Sequence, residues 1–188
     1  MKKLITYIYI LIIPISSFAS EYQVDRSKES QIKFISDAPI EEFEGITNNI
    51  DGYINLPSFE QLDESQLYFE VDLETLDTGI GLRNRHMREN YLETEKFKYT
   101  FFEGVFTSIE EVSEKEYNVK VSGSISIHGV VRSISISGTL IKNEKQLTIV
   151  TSFEIALTDF EIDVPELMFM KINEIIKIEC TIFTKEIE

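Results

Sequence analysis

The side chains best suited to chemistry near neutral pH are two histidines and one cysteine: His86, His128 and Cys180. A catalytic or metal site needs partner groups within reach, and the two histidines fall on different predicted elements. His128 precedes Gly129 between two predicted strands, where a polar residue before glycine is ordinary turn chemistry. The sequence has no HExxH motif, cysteine pair or Gly-x-Ser-x-Gly motif, and Cys180 falls on the apolar side of its strand. We therefore expect no enzymatic activity, metal site or cofactor.

A basic cluster lies between residues 83 and 88 of a chain whose formal net charge is −15. Guanidinium groups bind phosphate in a bidentate way, so the cluster could receive the anionic or polar head group of a ligand. The alternative is the solvated face of a helix, neutralised by Glu89, Glu93 and Glu95. A metal at His86 is disfavoured because the neighbouring arginines would repel a cation. The head-group candidates are Arg83, Arg85, His86 and Arg88.

The acidic composition limits the classes of partner that the protein can bind. The chain has 18 lysines and arginines against 33 aspartates and glutamates. Affinity for nucleic acid or for an anionic bilayer comes mainly from clustered basic residues. We therefore expect no nucleic-acid partner. Because Cys180 is the single cysteine, the fold cannot contain an intrachain disulfide.

The N-terminus has the layout of a secretory signal peptide. Lys2 and Lys3 precede an uncharged apolar stretch, which ends in small residues that include Ser17 and Ala19. The apolar stretch is shorter than the roughly 20 residues that a membrane-spanning helix needs. We predict cleavage after Ala19, which separates a signal peptide (1–19) from one domain (20–188) with no stable membrane anchor. The expected location is the periplasm, with secretion as the alternative.

Alternation of apolar and polar residues dominates the mature chain and predicts strands. Leu67, Phe69 and Val71 share one face, for example, with Tyr68 and Glu70 on the other. Such a chain forms either a two-sheet sandwich or a closed barrel, and the pattern does not separate the two. Strands are predicted near 22–26, 31–37, 43–56, 67–73, 99–109, 116–127, 130–142, 147–155 and 176–182.

One segment interrupts the alternation. Residues 80–95 are rich in helix formers and predict a short helical insertion, for which Thr78 or Asn84 is a candidate N-cap. Asp77 and Asp159 stand beside threonines at strand ends. We interpret both carboxylates as structural, because they could accept backbone N–H bonds that fix a turn or a helix start.

Several short motifs, in their order and spacing, resemble the YceI-like family. No motif is specific by itself, but together they extend over nearly the whole mature chain. They are Tyr22-Gln23-Val24-Asp25, Phe43-Glu44-Gly45, Leu76-Asp77-Thr78-Gly79 followed by Arg83-Asn84-Arg85-His86-Met87, Glu95-Lys96-Phe97, Ser126-Ile127-His128-Gly129-Val130 and Thr158-Asp159-Phe160.

This resemblance implies an all-β fold: a single antiparallel lipocalin-like barrel of about eight strands around an apolar cavity. It also implies binding or carriage of a polyisoprenoid or other lipid. The alternative is a packed barrel that serves as a structural or stress-related interaction protein, and a homodimer is compatible with either. In a barrel, the alternation directs the following residues to the lumen wall: Leu67, Phe69, Val71, Phe101, Ile149, Phe153, Ile178, Cys180 and Ile182.

Overall fold

The computed structural model describes residues 20–37, 42–59, 61–167 and 170–187. The predicted signal peptide and its cleavage site at Ala19 lie outside these ranges. Within them the strands are β1 (Ser20–Val24), β2 (Gln31–Ser36), β3 (Phe43–Thr47), β4 (Ile50–Leu56), β5 (Gln66–Asp72), β6 (Tyr99–Ser113), β7 (Glu116–Ile127), β8 (Val130–Asn143), β9 (Gln146–Ala156), β10 (Glu166–Leu167), β11 (Met170–Lys171) and β12 (Ile175–Ile187).

The strands close into an antiparallel barrel. Neighbours follow the order β1-β4-β5-β6-β7-β8-β9-β12, and β12 pairs back to β1. The end of β12 near Thr184 pairs with β1, whereas its beginning near Ile178 pairs with β2, which in turn pairs with β3. Strands β1 and β2 are therefore two halves of one barrel strand, as are β3 and β4. The ring has eight strands, which confirms the predicted barrel and excludes the sandwich.

The predicted continuous strand over 43–56 is wrong in its middle. The backbone leaves the strand conformation at Asn48 and Asn49, where Thr47 Oγ1 accepts a hydrogen bond from the Asn49 N–H at 3.0 Å. Side-chain bonds of this kind compete with the strand ladder. The break faces the loop between β1 and β2, in which the Asp25 carboxylate accepts bonds from the N–H and hydroxyl of Ser27. Both long strands therefore bend at the same corner of the barrel.

One end of the barrel is filled with side chains. Ile54, Leu140 and Leu147 are fully buried there. The ring of Phe59, in the connection between β4 and β5, stacks on Tyr117 with 5.1 Å between ring centroids. We call this the closed end. The 3-10 turn Leu62–Glu64 lies beside it.

The opposite end carries the helical insertion. Residues 80–92, which we call the cover, contain the helix α1 (Gly81–His86) followed by a π-helical turn (Met87–Tyr91). The insertion predicted near 80–95 is confirmed, but neither expected cap is present, because the N-cap residue is Ile80 and no side chain caps the helix. Further 3-10 turns lie at Leu73–Thr75 and Leu157–Phe160. No helix among the described residues is both long and apolar enough to cross a bilayer.

Candidate ligand-binding site

A cavity of about 660 Å³ occupies the barrel between the closed end and the cover. Its wall consists mainly of inward-facing side chains from the barrel strands, since every second residue of a strand points to the same face. The interior is therefore not packed solid. The cavity meets the surface beside Ile80 and Leu82, which border it and are 50% and 56% exposed.

The nine residues predicted for the lumen wall all border the cavity, eight of them with side chains on the inward face. The strand register explains their convergence: Ile178 pairs with Phe153, and Ile182 pairs with Ile149, so these four side chains form one continuous patch of wall. Leu67, Phe69 and Val71 form the facing patch on β5. Whether they contact a ligand stays a prediction.

Phe101 differs from the other eight. The register pairs it with Glu70 and Ser126, which places it on the outer face of the barrel wall, and its ring stacks on that of Tyr68 with 6.4 Å between centroids. The inward residue is the next one, Phe102, which pairs with Phe69. Because Phe101 and Phe102 are adjacent and both apolar, the alternation does not show which of the two faces the lumen. Other wall residues that the sequence prediction omitted are Phe34, Val119, Val121, Ile125, Ile136 and Ile155.

Two of the four predicted head-group residues, Arg83 and His86, border the cavity. Arg83 is partly committed to the fold: its Nε donates to Thr78 Oγ1 at 3.1 Å, and one terminal nitrogen donates to the Thr78 carbonyl at 3.2 Å. Its guanidinium carbon also lies 4.6 Å from the centre of the Phe43 ring. Arg83 therefore holds a cation against an aromatic face at the cavity edge.

The other two candidates do not border the described cavity. Arg85 is exposed on α1. Arg88 donates from a terminal nitrogen to the carbonyl of Leu76 at 2.8 Å, which ties the cover to the residue that follows the Leu73–Thr75 turn. The sequence spacing placed all four side chains in one cluster, but the helical turn directs them to different sides.

Asp77 is structural, as predicted. Its Oδ1 accepts bonds from the Gly79 N–H at 2.8 Å and from the Asn84 side-chain amide at 2.7 Å. These two bonds, with the larger effect from Asn84, lower the pKa of the Asp77 carboxyl. The same prediction for Asp159 is wrong: this residue is exposed, and its carboxylate accepts none of the hydrogen bonds found among the described residues.

His128 has more contacts than the predicted turn role requires. It does stand in the turn between β7 and β8, with φ 53°. Its Nδ1 lies 3.1 Å from the carbonyl oxygen of Phe160, and its Nε2 lies 3.0 Å from Glu93 Oε2. Both partners are oxygen atoms that accept hydrogen bonds, and the two ring nitrogens contact one each. His128 therefore joins three segments. They are the β7–β8 hairpin that contains it, the segment after the cover that contains Glu93, and the Leu157–Phe160 turn.

The Glu93 contact predicts a pH dependence. The pKa of Glu93 is lowered, first by Lys96 and then by His128. A lowered carboxyl pKa contributes stability that is present above the unfolded value, near 4.5, and is lost as pH falls through the folded value. Glu93→Gln should therefore lower the melting temperature at pH 6, and the difference from wild type should shrink as pH falls below 4.5. Thermal denaturation from pH 3 to 7 measures this, and a pH-independent difference would contradict it.

Cys180 lies on the cavity wall, and burial, with a smaller effect from Glu179, raises the pKa of its thiol to about 12. At pH 8 only about one such thiol in ten thousand is ionised, and the thiolate is the reactive form. We expect maleimide to label Cys180 roughly 1,000-fold more slowly than an exposed cysteine. The control is Ser113→Cys in a Cys180→Ala background, because Ser113 is exposed. Equal labelling rates in mass spectra would contradict the prediction.

Ser36 is a polar residue of this wall that the sequence prediction also omitted. It is fully buried and borders the cavity, and its hydroxyl has no hydrogen-bond partner among the described residues. A buried polar group without a partner costs about 1–3 kcal/mol.

The described residues contain no group of three or more histidine, cysteine or acidic side chains placed to hold a metal.

A comparison with protein families matches residues 22–183 to the YceI-like domain. The chain belongs to the YceI-like family. Among solved structures, this YceI-like barrel is similar to BcnA of Burkholderia cenocepacia, with a TM-score of 0.70 and 16% identity over 85% of this chain and 98% of that one. It is also similar to a polyisoprenoid-binding domain from Saccharophagus degradans, with a TM-score of 0.69 and 15% identity over 90% of this chain and 99% of that one.

A third similar structure is the YceI protein of Campylobacter jejuni, with a TM-score of 0.56 and 14% identity over 74% of this chain and 82% of that one. At these identities the likeness shows a shared fold. A search of curated protein sequences found no match. The YceI-like barrel is thus established by the family match and by its own strand order.

Proposed function

We propose that this protein binds and carries an apolar small molecule, a polyisoprenoid or another lipid, inside the barrel. The observation that carries the proposal is the cavity of about 660 Å³ with its predominantly apolar wall. Small-molecule sites typically measure about 300–1,000 Å³ and are lined mainly by apolar side chains. The polyisoprenoid-binding domain from Saccharophagus degradans, which shares this fold, supports the ligand class.

Apolar burial is sufficient for useful affinity. Each buried CH2 contributes about 0.8 kcal/mol, so ten of them contribute about 8 kcal/mol before the cost of immobilising the ligand. A net gain of about 8 kcal/mol corresponds to micromolar binding, and a longer apolar chain supplies the additional burial that offsets the cost of immobilisation. The function needs no catalytic group, and we propose a carrier rather than an enzyme. The packed barrel of the alternative hypothesis is disfavoured because the cavity is open.

Extraction of the natively purified protein, followed by mass spectrometry, tests the proposal. We expect a long-chain lipid in near-stoichiometric amount. Delipidated protein is tested for binding of an apolar ligand by addition of N-phenyl-1-naphthylamine, a neutral dye that fluoresces in apolar surroundings. A protein that neither retains a lipid nor binds the dye would refute carriage. A chemically altered ligand would instead favour an enzyme.

Carriage outside the cytoplasm is also part of the proposal and rests on residues 1–19. We propose export to the periplasm, with secretion as the alternative, and removal of the signal peptide. N-terminal sequencing of the exported protein should begin at Ser20. An exported protein that still begins at Met1 would contradict cleavage.

A further inference from the structure

We propose that Ser36 binds the oxygen-bearing end of the ligand. The cavity then takes an amphiphile, with an apolar tail and a terminal group that forms hydrogen bonds, in preference to a plain hydrocarbon of the same length. This inference rests on the proposed function and specifies the chemical class and the orientation of the ligand.

The position of Ser36 in β2 directs it inward. Ile32, Phe34 and Ser36 alternate along the strand, and all three border the cavity. The apolar character of this face therefore ends in a single hydroxyl, at the last residue of β2. Ser36 lies at the cover end of the barrel, opposite the closed end, because it pairs with Ile176 and Phe43.

The hydroxyl of Ser36 stands apart from the other hydroxyls that are buried as deeply. Thr184 Oγ1 donates to the Leu147 carbonyl at 3.1 Å. Ser65 Oγ donates to the Leu62 carbonyl and accepts from the Phe106 N–H at 2.9 Å. Ser36 is 0% exposed, yet its Oγ has no partner within the described part of the chain. Buried polar groups in native folds normally have a hydrogen-bond partner. A buried hydroxyl without one at a cavity wall therefore indicates that a ligand atom is its partner.

The surroundings of Ser36 suit the polar end of an amphiphile. Phe43 pairs directly with Ser36, and the Arg83 guanidinium lies over the Phe43 ring, so a hydroxyl and a cation border the same end of the cavity. Two N–H groups of Arg83 serve Thr78, which leaves donors of the five-donor guanidinium for a ligand oxygen. Rotation about χ1 turns the Ser36 hydroxyl without moving the backbone. The tail would then extend toward Val119, Ile136 and Leu140, deeper in the cavity.

Phytol and phytane provide the test because they share a branched chain and differ by one terminal hydroxyl. Delipidated protein is incubated with both probes in detergent micelles, separated from the micelles and extracted, and the retained ratio is measured by gas chromatography. Ser36→Ala should lower the retained phytol-to-phytane ratio about five- to tenfold, the value of one neutral hydrogen bond. Its melting temperature without ligand should stay unchanged or rise, because an unpaired buried hydroxyl is removed.

Ser65→Ala is the matched control. It also removes a buried hydroxyl, but one with two partners and no contact with the cavity, so it should lower the melting temperature and leave the ratio unchanged. A third probe, phytanic acid, identifies the end group of the ligand. If Arg83→Gln lowers retention of the acid more than retention of phytol, the end group is anionic. If the two losses of retention are equal, the end group is neutral. An unchanged phytol-to-phytane ratio in Ser36→Ala overturns the inference while leaving carriage intact. Failure of the wild type to retain either probe overturns carriage itself, and the inference with it.

Discussion

Ile178→Asp should reduce binding of N-phenyl-1-naphthylamine by roughly 100-fold or more, because an unpaired carboxylate beside an apolar ligand costs far more than any methylene contact returns. Ile178 borders the cavity in the first half of β12, where it pairs with Phe153 on one side and Phe34 on the other. The new carboxylate would therefore stand among aromatic rings. Fluorescence titration measures the affinity, and circular dichroism monitors the fold.

Thr181→Asp is the control for charge. It introduces the same carboxylate three residues along the same strand, on the outer face, where Thr181 pairs with Val150 and Gln31. This variant should bind the dye as the wild type does. If Ile178→Asp does not fold, Ile178→Asn provides the test with a polar but uncharged side chain. A folded variant at position 178 with full affinity would show that the ligand site lies outside the barrel.

Gly123→Ala should lower the melting temperature by roughly 6–12 °C, the equivalent of about 3 kcal/mol in a domain of this size. Gly123 of β7 pairs with Gly104 of β6, and the two strand backbones lie very close together there. A Cβ at position 123 would stand 2.0 Å from the Glu103 carbonyl oxygen and 2.7 Å from the Gly104 Cα. Both are backbone atoms, so the two strands must separate to accommodate it.

Gly81→Ala is the matched control, because a Cβ there meets no heavy atom within 4 Å. Gly81 is the first residue of α1, and alanine is the better helix former. The control should leave the melting temperature unchanged or raise it slightly. Equal effects of the two substitutions in thermal denaturation would show that the approach of β6 and β7 does not limit stability.

Strand positions and wall residues were predictable because both depend on a period of two. Leu67, Phe69 and Val71 required only the alternation. Closure was not predictable from that pattern, since a sandwich has the same alternation. It depends on β12 pairing with β9 on one side and with both β1 and β2 on the other, over long sequence separations. The family resemblance, not the periodicity, indicated the barrel.

The polar features of the site were less accessible to sequence reasoning. The four head-group candidates share a short segment, but a helical turn sends Arg83 to the cavity and Arg85 to solvent. The contacts of His128 with Glu93 and Phe160 join residues more than 30 positions apart. Ser36 resembles any other serine until its burial and its missing partner are known. Such properties belong to the assembled barrel rather than to a local pattern.

The placement of Ser20 and Ile187 has a practical consequence for attaching the protein to other objects. Both residues lie at the closed end, where Ser20 pairs with Leu56 and Ile187 pairs with Glu21. A biosensor surface, a fluorescent fusion partner or a bead coupled beside either residue would sit on the far side of the molecule from the cover. The opening beside Ile80 and Leu82 would then face the bulk solution. Immobilised barrels should therefore exchange ligands at the rate of the free protein, which suits the fold to surface-based measurement of lipid binding.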